Sequence, residues 1–174
     1  MAAGLPRTQA GCMEISRSFT VQAPIQDTWE VLGTRFHEAG SWASGIAASR
    51  KLGELGPAGI AHRQCDIPSL GTITERVDTF DEVNRSFSYS VIEGRPVVAN
   101  AMGNTWNIEA AGPTHTKISI RIRVELKPVA RVLMGWMMKR QMGKLCDEVV
   151  DDLRTFIETG RPSPAKQNAV AKAA

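Results

Sequence analysis

Apolar residues recur at two spacings along this chain, and the switches between them mark its elements. From Met13 to Gln22 the period is two: Met13, Ile15, Phe19 and Val21 fall in phase, as on one face of a strand. Pro24 then stands where a helix can begin, and Ile25, Trp29 and Leu32 share a helical face. Gly33 and Gly40 break that region into two short helical pieces. Period two returns between Gly45 and Lys127. Gly53, Gly56-Pro57, Gly71, Asn84, Gly94 and Gly112-Pro113 punctuate this section at hairpin spacing. Strands are predicted at 45–52, 60–67, 72–80, 86–92, 97–110 and 116–127. Two of them alternate cleanly. Phe87, Tyr89 and Val91 oppose Ser86, Ser88 and Ser90, while Ile118, Ile120, Ile122, Val124 and Leu126 oppose Ser119, Arg121, Arg123 and Glu125. Each is a strand with one wet face.

After Pro128 the spacing becomes helical and stays so to about Thr159. Met134, Met138, Met142, Leu145, Val149, Leu153 and Phe156 recur on it. Gly135 and Gly143 lie inside this helix, each marking a kink or a close backbone approach. Residues 1–12 read as a flexible N-terminal tail. Residues 161–174, with two prolines just past Gly160, read as a flexible C-terminal tail. The expected domain is 13–160, of class α+β: a curved antiparallel seven-stranded sheet around one long helix, with two short helices after the first strand. A helix about 10 Å wide leaves space against such a sheet, and space of that kind suits a small apolar ligand.

Composition narrows the chemistry. The 174 residues are 43% hydrophobic and 22% charged, the balance of an ordinary globular domain, and contain no apolar run long enough to span a bilayer. A net charge of +3 is too weak by itself to point to nucleic acid, and none is expected as a partner. Cys12, Cys65 and Cys146 are scattered and odd in number, so no disulfide framework is expected. The first dozen residues hold no secretory apolar segment, which makes the cytoplasm the expected compartment. His37, His62 and His115 are too far apart to form a local ligand pair, and no metal site is expected. Phosphate-cradling and nucleophile-elbow motifs are missing from the sequence, and no cofactor is expected.

The informative polar residues lie in apolar rows. Glu75 shares parity with Ile73 and Val77, and Arg63 with Cys65 and Ile67. A hairpin through 68–71 would bring them together. A carboxylate so placed must be paired or protonated. Three roles stay open for it: a structural ion pair, an anchor for a ligand carbonyl or hydroxyl, or a proton-transfer group. Tyr89, the only tyrosine, lies on the apolar face, where its hydroxyl needs a partner. Asn104 and Trp106 share one face of their strand, and neither face of that strand reads clearly as inward. Trp42 lies in the helix-to-strand connection, near an expected entrance. His62 has the opposite parity to Arg63 and belongs on the wet face.

On the long helix, Met134, Met137, Met138 and Met142 cluster with Trp136 beside Arg131, Lys139, Arg140 and Lys144. Ordinary core, an adaptable pocket roof, and transient membrane contact through this basic Met/Trp segment are its three readings. Its charges run against the helix dipole, basic first and acidic (Asp147, Glu148, Asp151, Asp152) second.

The order Pro24…Trp29, Gly59…Arg63, Thr74-Glu75-Arg76, Tyr89-Ser90-Val91 and a terminal helix resembles the START-like helix-grip superfamily (SRPBCC), in particular its polyketide cyclase/dehydrase and lipid transport group. The resemblance covers about Met13 to Thr159. It implies a cavity under the last helix and a lipid, polyketide or similar small hydrophobic partner. Plant abscisic acid receptors share the same skeleton. By that likeness Arg63, Ile67, Ile73, Glu75, Tyr89 and Val91 take cavity-facing positions. Ala101 stands where those receptors carry a tyrosine, and Pro68-Ser69-Leu70-Gly71 replaces their gate loop, so hormone reception is not expected. With Met138, Met142, Leu145 and Val149 from the helix, these residues make up the expected ligand-binding set. A carrier or binding protein is the first expectation. The alternative is a polyketide cyclase/aromatase-type enzyme with Glu75 or Tyr89 moving protons.

Overall fold

The computed structural model describes residues 12–53 and 62–173. The segment 1–11, the turn around Gly56-Pro57 with Gly59 and Ile60, and Ala174 lie outside the described residues. Strand β1 (Cys12–Val21) leads into a short helix α1 (Ile25–Trp29), which widens into a π turn (Glu30–Thr34), and then a 3-10 helix (Phe36–Ser41). Six further strands follow: β2 (Ala48–Leu52), β3 (His62–Ile67), β4 (Gly71–Asp81), β5 (Ser86–Glu93), β6 (Ala99–Gly112) and β7 (His115–Leu126). Helix α2 (Pro128–Thr159) and helix α3 (Pro164–Ala173) complete the chain.

The seven strands form one antiparallel sheet in the order β1-β7-β6-β5-β4-β3-β2. Only the β1–β7 pairing is non-local; it places Met13 opposite Val124 and Phe19 opposite Ile118. The alternations read from sequence set the faces. Phe87, Tyr89 and Val91 are buried, as are Ile118, Ile120, Val124 and Leu126. On the outer face Arg121 and Arg123 reach Glu14 of β1 at 3.5 and 3.0 Å. Register also settles β6. Trp106 sits opposite Phe87 and Asn104 opposite Tyr89, so both face inward.

The sheet has two unequal ends. At the lower end lie the close of β1, α1, and the β4–β5 and β6–β7 turns. Here one large core holds Trp29, Phe87, Trp106, Ile108, Ile118 and Leu153. Phe87 and Trp106 stack with centroids 6.2 Å apart, and Trp29 tilts against Phe80 at 5.1 Å. Gly33 permits this packing, because a Cβ there would lie 2.6 Å from the Trp29 ring. At the upper end, where α2 begins, the core divides into two small clusters: Cys65, Ile73 and Val91, and Ala99, Val124 and Leu126. Both pack against half-buried Met102.

Helix α2 follows the same division. Pro128 is compatible with its first turn, and Gly160 ends it at φ +68°, a conformation suited to glycine. Cys146, Val150 and Leu153 of its second half are buried. Its first half has Ala130 as its one buried residue. Gly143 lies against the sheet, the Arg17 guanidinium being 3.5 Å from where its Cβ would stand.

The stretch after Gly160 differs from the tail expected there. It turns at Pro162 into α3; Ser163, just before that helix, and Lys166 within it are buried. The Asp152 carboxylate accepts from the Ser163 hydroxyl and, at 2.7 Å, from the Ser44 backbone N–H. Lys166 Nζ donates to the Ile46 carbonyl at 2.6 Å. Burial lowers the Lys166 pKa, against the opposing pull of Asp152. A tail reading follows from composition alone; it misses a buried lysine whose ammonium donates to a carbonyl 120 residues away.

Candidate functional site

The concave face carries a short polar row among apolar side chains. Pairing of β3 with β4 puts Arg63 directly opposite Glu75, as the hairpin through 68–71 requires. Glu75 Oε2 accepts from Arg63 Nε at 2.7 Å and from Nη2 at 2.5 Å. Both side chains are over nine-tenths buried. Arg63 Nη1 also donates to the Phe36 carbonyl at 2.6 Å, and its guanidinium lies 3.9 Å over the Phe36 ring. Burial pulls the Arg63 pKa down, but Glu75 outweighs it and holds the group above its ordinary value. The Cys65 thiol points at the same carboxylate, 3.6 Å away. Burial, helped by Glu75, pushes that thiol up to about 12.

Tyr89 continues the row. Its hydroxyl accepts from Asn104 Nδ2 at 2.8 Å. Burial and the Glu75 charge raise its pKa, so the phenol holds its proton at neutrality. Asn104 Oδ1 is buried and has no partner among the described residues. The row therefore offers a phenol, one unsatisfied amide oxygen and a neutralised ion pair. Glu75 is engaged as the counter-ion of Arg63. Tyr89 is a donor at neutral pH.

The hollow anticipated between helix and sheet exists but is small. A cavity of about 70 Å³ is bounded by Leu32, Phe36, Trp42, Arg63, Tyr89 and Val149, among others. That is room for a few waters, well short of the roughly 300–1,000 Å³ of small-molecule sites. The aromatic side chains at the lower end take up space that counting elements leaves empty.

The expected lining residues do not all meet there. Arg63, Tyr89 and Val149 touch the cavity. Ile73, Glu75 and Val91 are buried on the same face, nearer the upper end. Ile67, Met102, Met138 and Met142 are half-buried around the upper clusters. Leu145 departs from expectation: it is 40% exposed, and Cys146 takes the inward position beside it. From Met142 the inward row continues four residues on, to Cys146, rather than three, to Leu145; both spacings suit a helical face.

Sequence reasoning passed over Arg17, although its parity matches Ile15 and Phe19. It faces α2, with Nε 2.6 Å from Asp147 Oδ1. A cation in phase with an apolar row, and a carboxylate on the covering helix, were the available signals. Trp42 and Phe36 also line the cavity. Among the described residues no cluster of His, Cys, Asp and Glu could hold a metal ion, and no helix is long and apolar enough to cross a membrane.

Solved structures share this architecture. The Zhui aromatase/cyclase from Streptomyces sp. R1128 aligns with TM-score 0.65 and 16% identity, over 87% of this chain and 99% of its own. A START superfamily protein from Mycobacterium smegmatis aligns with TM-score 0.68 and 14% identity, over 83% of this chain and 96% of its own. A norcoclaurine synthase from Thalictrum flavum, solved with a transition-state analogue, gives TM-score 0.65 and 14% identity over 84% and 94%. At such identities the likeness establishes the helix-grip fold alone. No curated protein matches the sequence. The profile described as polyketide cyclase/dehydrase and lipid transport, however, matches residues 13–158, nearly the whole of the sheet and α2. On the strength of that match, together with the grip architecture, the chain belongs to the polyketide cyclase/dehydrase and lipid transport family.

Proposed function

We propose that this protein binds a small, largely apolar molecule carrying a hydroxyl or carbonyl group, between the upper half of the sheet and the first half of α2. The observation that carries the reading is the buried, unpartnered Asn104 Oδ1 beside the Tyr89 phenol. A buried acceptor without a donor costs about 1–3 kcal/mol, and a ligand hydroxyl relieves that cost. A ligand carbonyl would instead accept from the Tyr89 phenol. The divided upper core supports the same location. Met102 and Met138 are flexible side chains at half-buried positions, which can yield to an entering molecule. Apolar burial at about 25 cal/mol per Å² supplies the affinity, and the polar pair fixes orientation. Arg63 and Glu75 act as the rigid floor.

Native mass spectrometry of the intact protein tests this. An apolar molecule should co-purify or be taken up from a sterol, fatty-acid and polyketide mixture. Tyr89→Phe, which keeps the ring, should weaken retention of a carbonyl ligand by about five- to tenfold. Met102→Trp should block uptake of any ligand. A protein that stays empty in every mixture, or retains ligand equally in both variants, refutes the reading.

An enzymatic second reading draws on the neutral Tyr89 phenol, a group able to protonate a developing enolate during cyclisation or dehydration. Under this reading Glu75 keeps its place as the hydrogen-bonded partner of Arg63. Turnover of an aromatic poly-β-ketone that survives in Tyr89→Phe removes it.

A further inference from the structure

The first half of α2 presents an apolar stripe to solvent. Val129, Val132, Leu133, Trp136 and Met137 follow i, i+3, i+4, i+7, i+8 spacing on one face. Their exposures are 71, 78, 74, 74 and 45%. Met138 and Met142 point the opposite way, into the upper core. Five large apolar side chains on one exposed face of one helix are more than scattered surface residues. The stripe is bordered by positive charge. Lys127, Arg131, Lys139, Arg140 and Lys144 all fall between Glu125 and Asp147, a span with no acidic residue. Beside the stripe, Trp136, Lys139, Arg140, Lys144 and Asp147 of α2 and Arg17 of β1 line a shallow depression. Neither Lys139 nor Arg140 meets a carboxylate among the described residues.

We infer that this face docks on the surface of an anionic lipid bilayer, with Leu133, Trp136 and Met137 entering the interface and Lys139, Arg140 and Lys144 meeting the headgroups. Charge complementarity selects that occupant. An apolar stripe alone fits a second copy of the chain equally well, but two copies would bring both rims of cations together. A bilayer of negative surface potential attracts them, by about fivefold in partitioning per cation. Polarity also agrees. The N-terminal end of a helix is positive, so a facing layer of anionic headgroups is favoured by the cations and the dipole together. Trp at the boundary is the residue type bilayer interfaces accept. The docking needs no bound ligand and stands apart from the pocket reading.

The full chain supplies its own probe. Trp29, Trp42 and Trp106 are buried, so a change in tryptophan emission on adding lipid reports Trp136. With phosphatidylcholine vesicles containing about one-third phosphatidylserine, emission should shift to the blue and the protein should float with the vesicles. Pure phosphatidylcholine should give little of either. Binding should vanish near 1 M salt, where the screening length is about 3 Å. Lys139→Glu/Arg140→Glu should weaken partitioning at least about 25-fold, and Trp136→Ser about tenfold. All three positions are exposed, and circular dichroism would check that the variants fold. Vesicle binding that ignores both variants overturns the inference. So does a blue shift that grows with protein concentration in the absence of lipid, which would assign the stripe to a second copy.

Discussion

The two ends of this helix-grip domain are built from the same strands but packed differently. At the lower end β1, β5, β6 and β7 contribute large side chains to one continuous core, and the second half of α2 closes on it with Cys146, Val150 and Leu153. At the upper end two three-residue clusters share half-buried Met102, and the first half of α2 turns most of its apolar surface to solvent. The difference teaches that covering a sheet and filling it are separate tasks. A single helix covers the whole length here, yet aromatic packing fills only the lower part. The polar row from Arg63 to Asn104 lies near the boundary.

The comparison breaks most readily at that boundary. Glu75→Gln leaves the Arg63 guanidinium buried without its counter-ion, and should destabilise the fold by about 3–5 kcal/mol in denaturant unfolding. Replacing both partners with apolar residues of similar volume should recover most of the loss; if it does not, the pair does more than neutralise itself. Matched truncations sharpen the contrast between the ends. Leu153→Ala, at 0% exposure, should cost about 3–5 kcal/mol. Met138→Ala, half-buried above Met102, should cost under about 2 kcal/mol. Equal costs would mean that the upper end is as tightly packed as the lower.

The smallest effect is in alkali. The Cys65 thiol ionises at about 12 in the folded protein, against an ordinary 9.0. A raised pKa favours the folded form below 9 and loses that contribution as pH climbs from 9 to 12. Tyr89, raised above 10.0, acts in the same sense. Stability should therefore fall across this window, and more shallowly in Cys65→Ala. Parallel pH curves for the two proteins would show that the thiol is not protected by its surroundings.

Much of the lower end is legible in the sequence. The alternation of Phe87, Tyr89 and Val91 against serines leaves one arrangement of faces, and the isoleucine row from Ile118 does the same. Arg63 and Glu75 could be paired by parity and one hairpin, since a two-stranded register depends on local spacing. Asn104 and Trp106 could not be oriented, because both rows of β6 mix polar and apolar residues; only the pairing with β5 decides. The volume of the hollow was likewise out of reach, as it depends on how Phe36 and Trp42 fold back from a connecting segment. Leu145 misled because a step of three or of four from Met142 fits helical periodicity, and only packing selects Cys146.

Lys166 and Ser163 have a practical bearing on how the domain is cut. The family match stops at 158. A protein trimmed there would lose the donor that the Asp152 carboxylate receives from Ser163 and the ammonium that holds the Ile46 carbonyl. Ala43 and Ile46 belong to the wall of the small cavity. The shortened molecule would keep the recognisable grip but lose two ties across the rim of that cavity, so its rigidity there would not be that of the full chain.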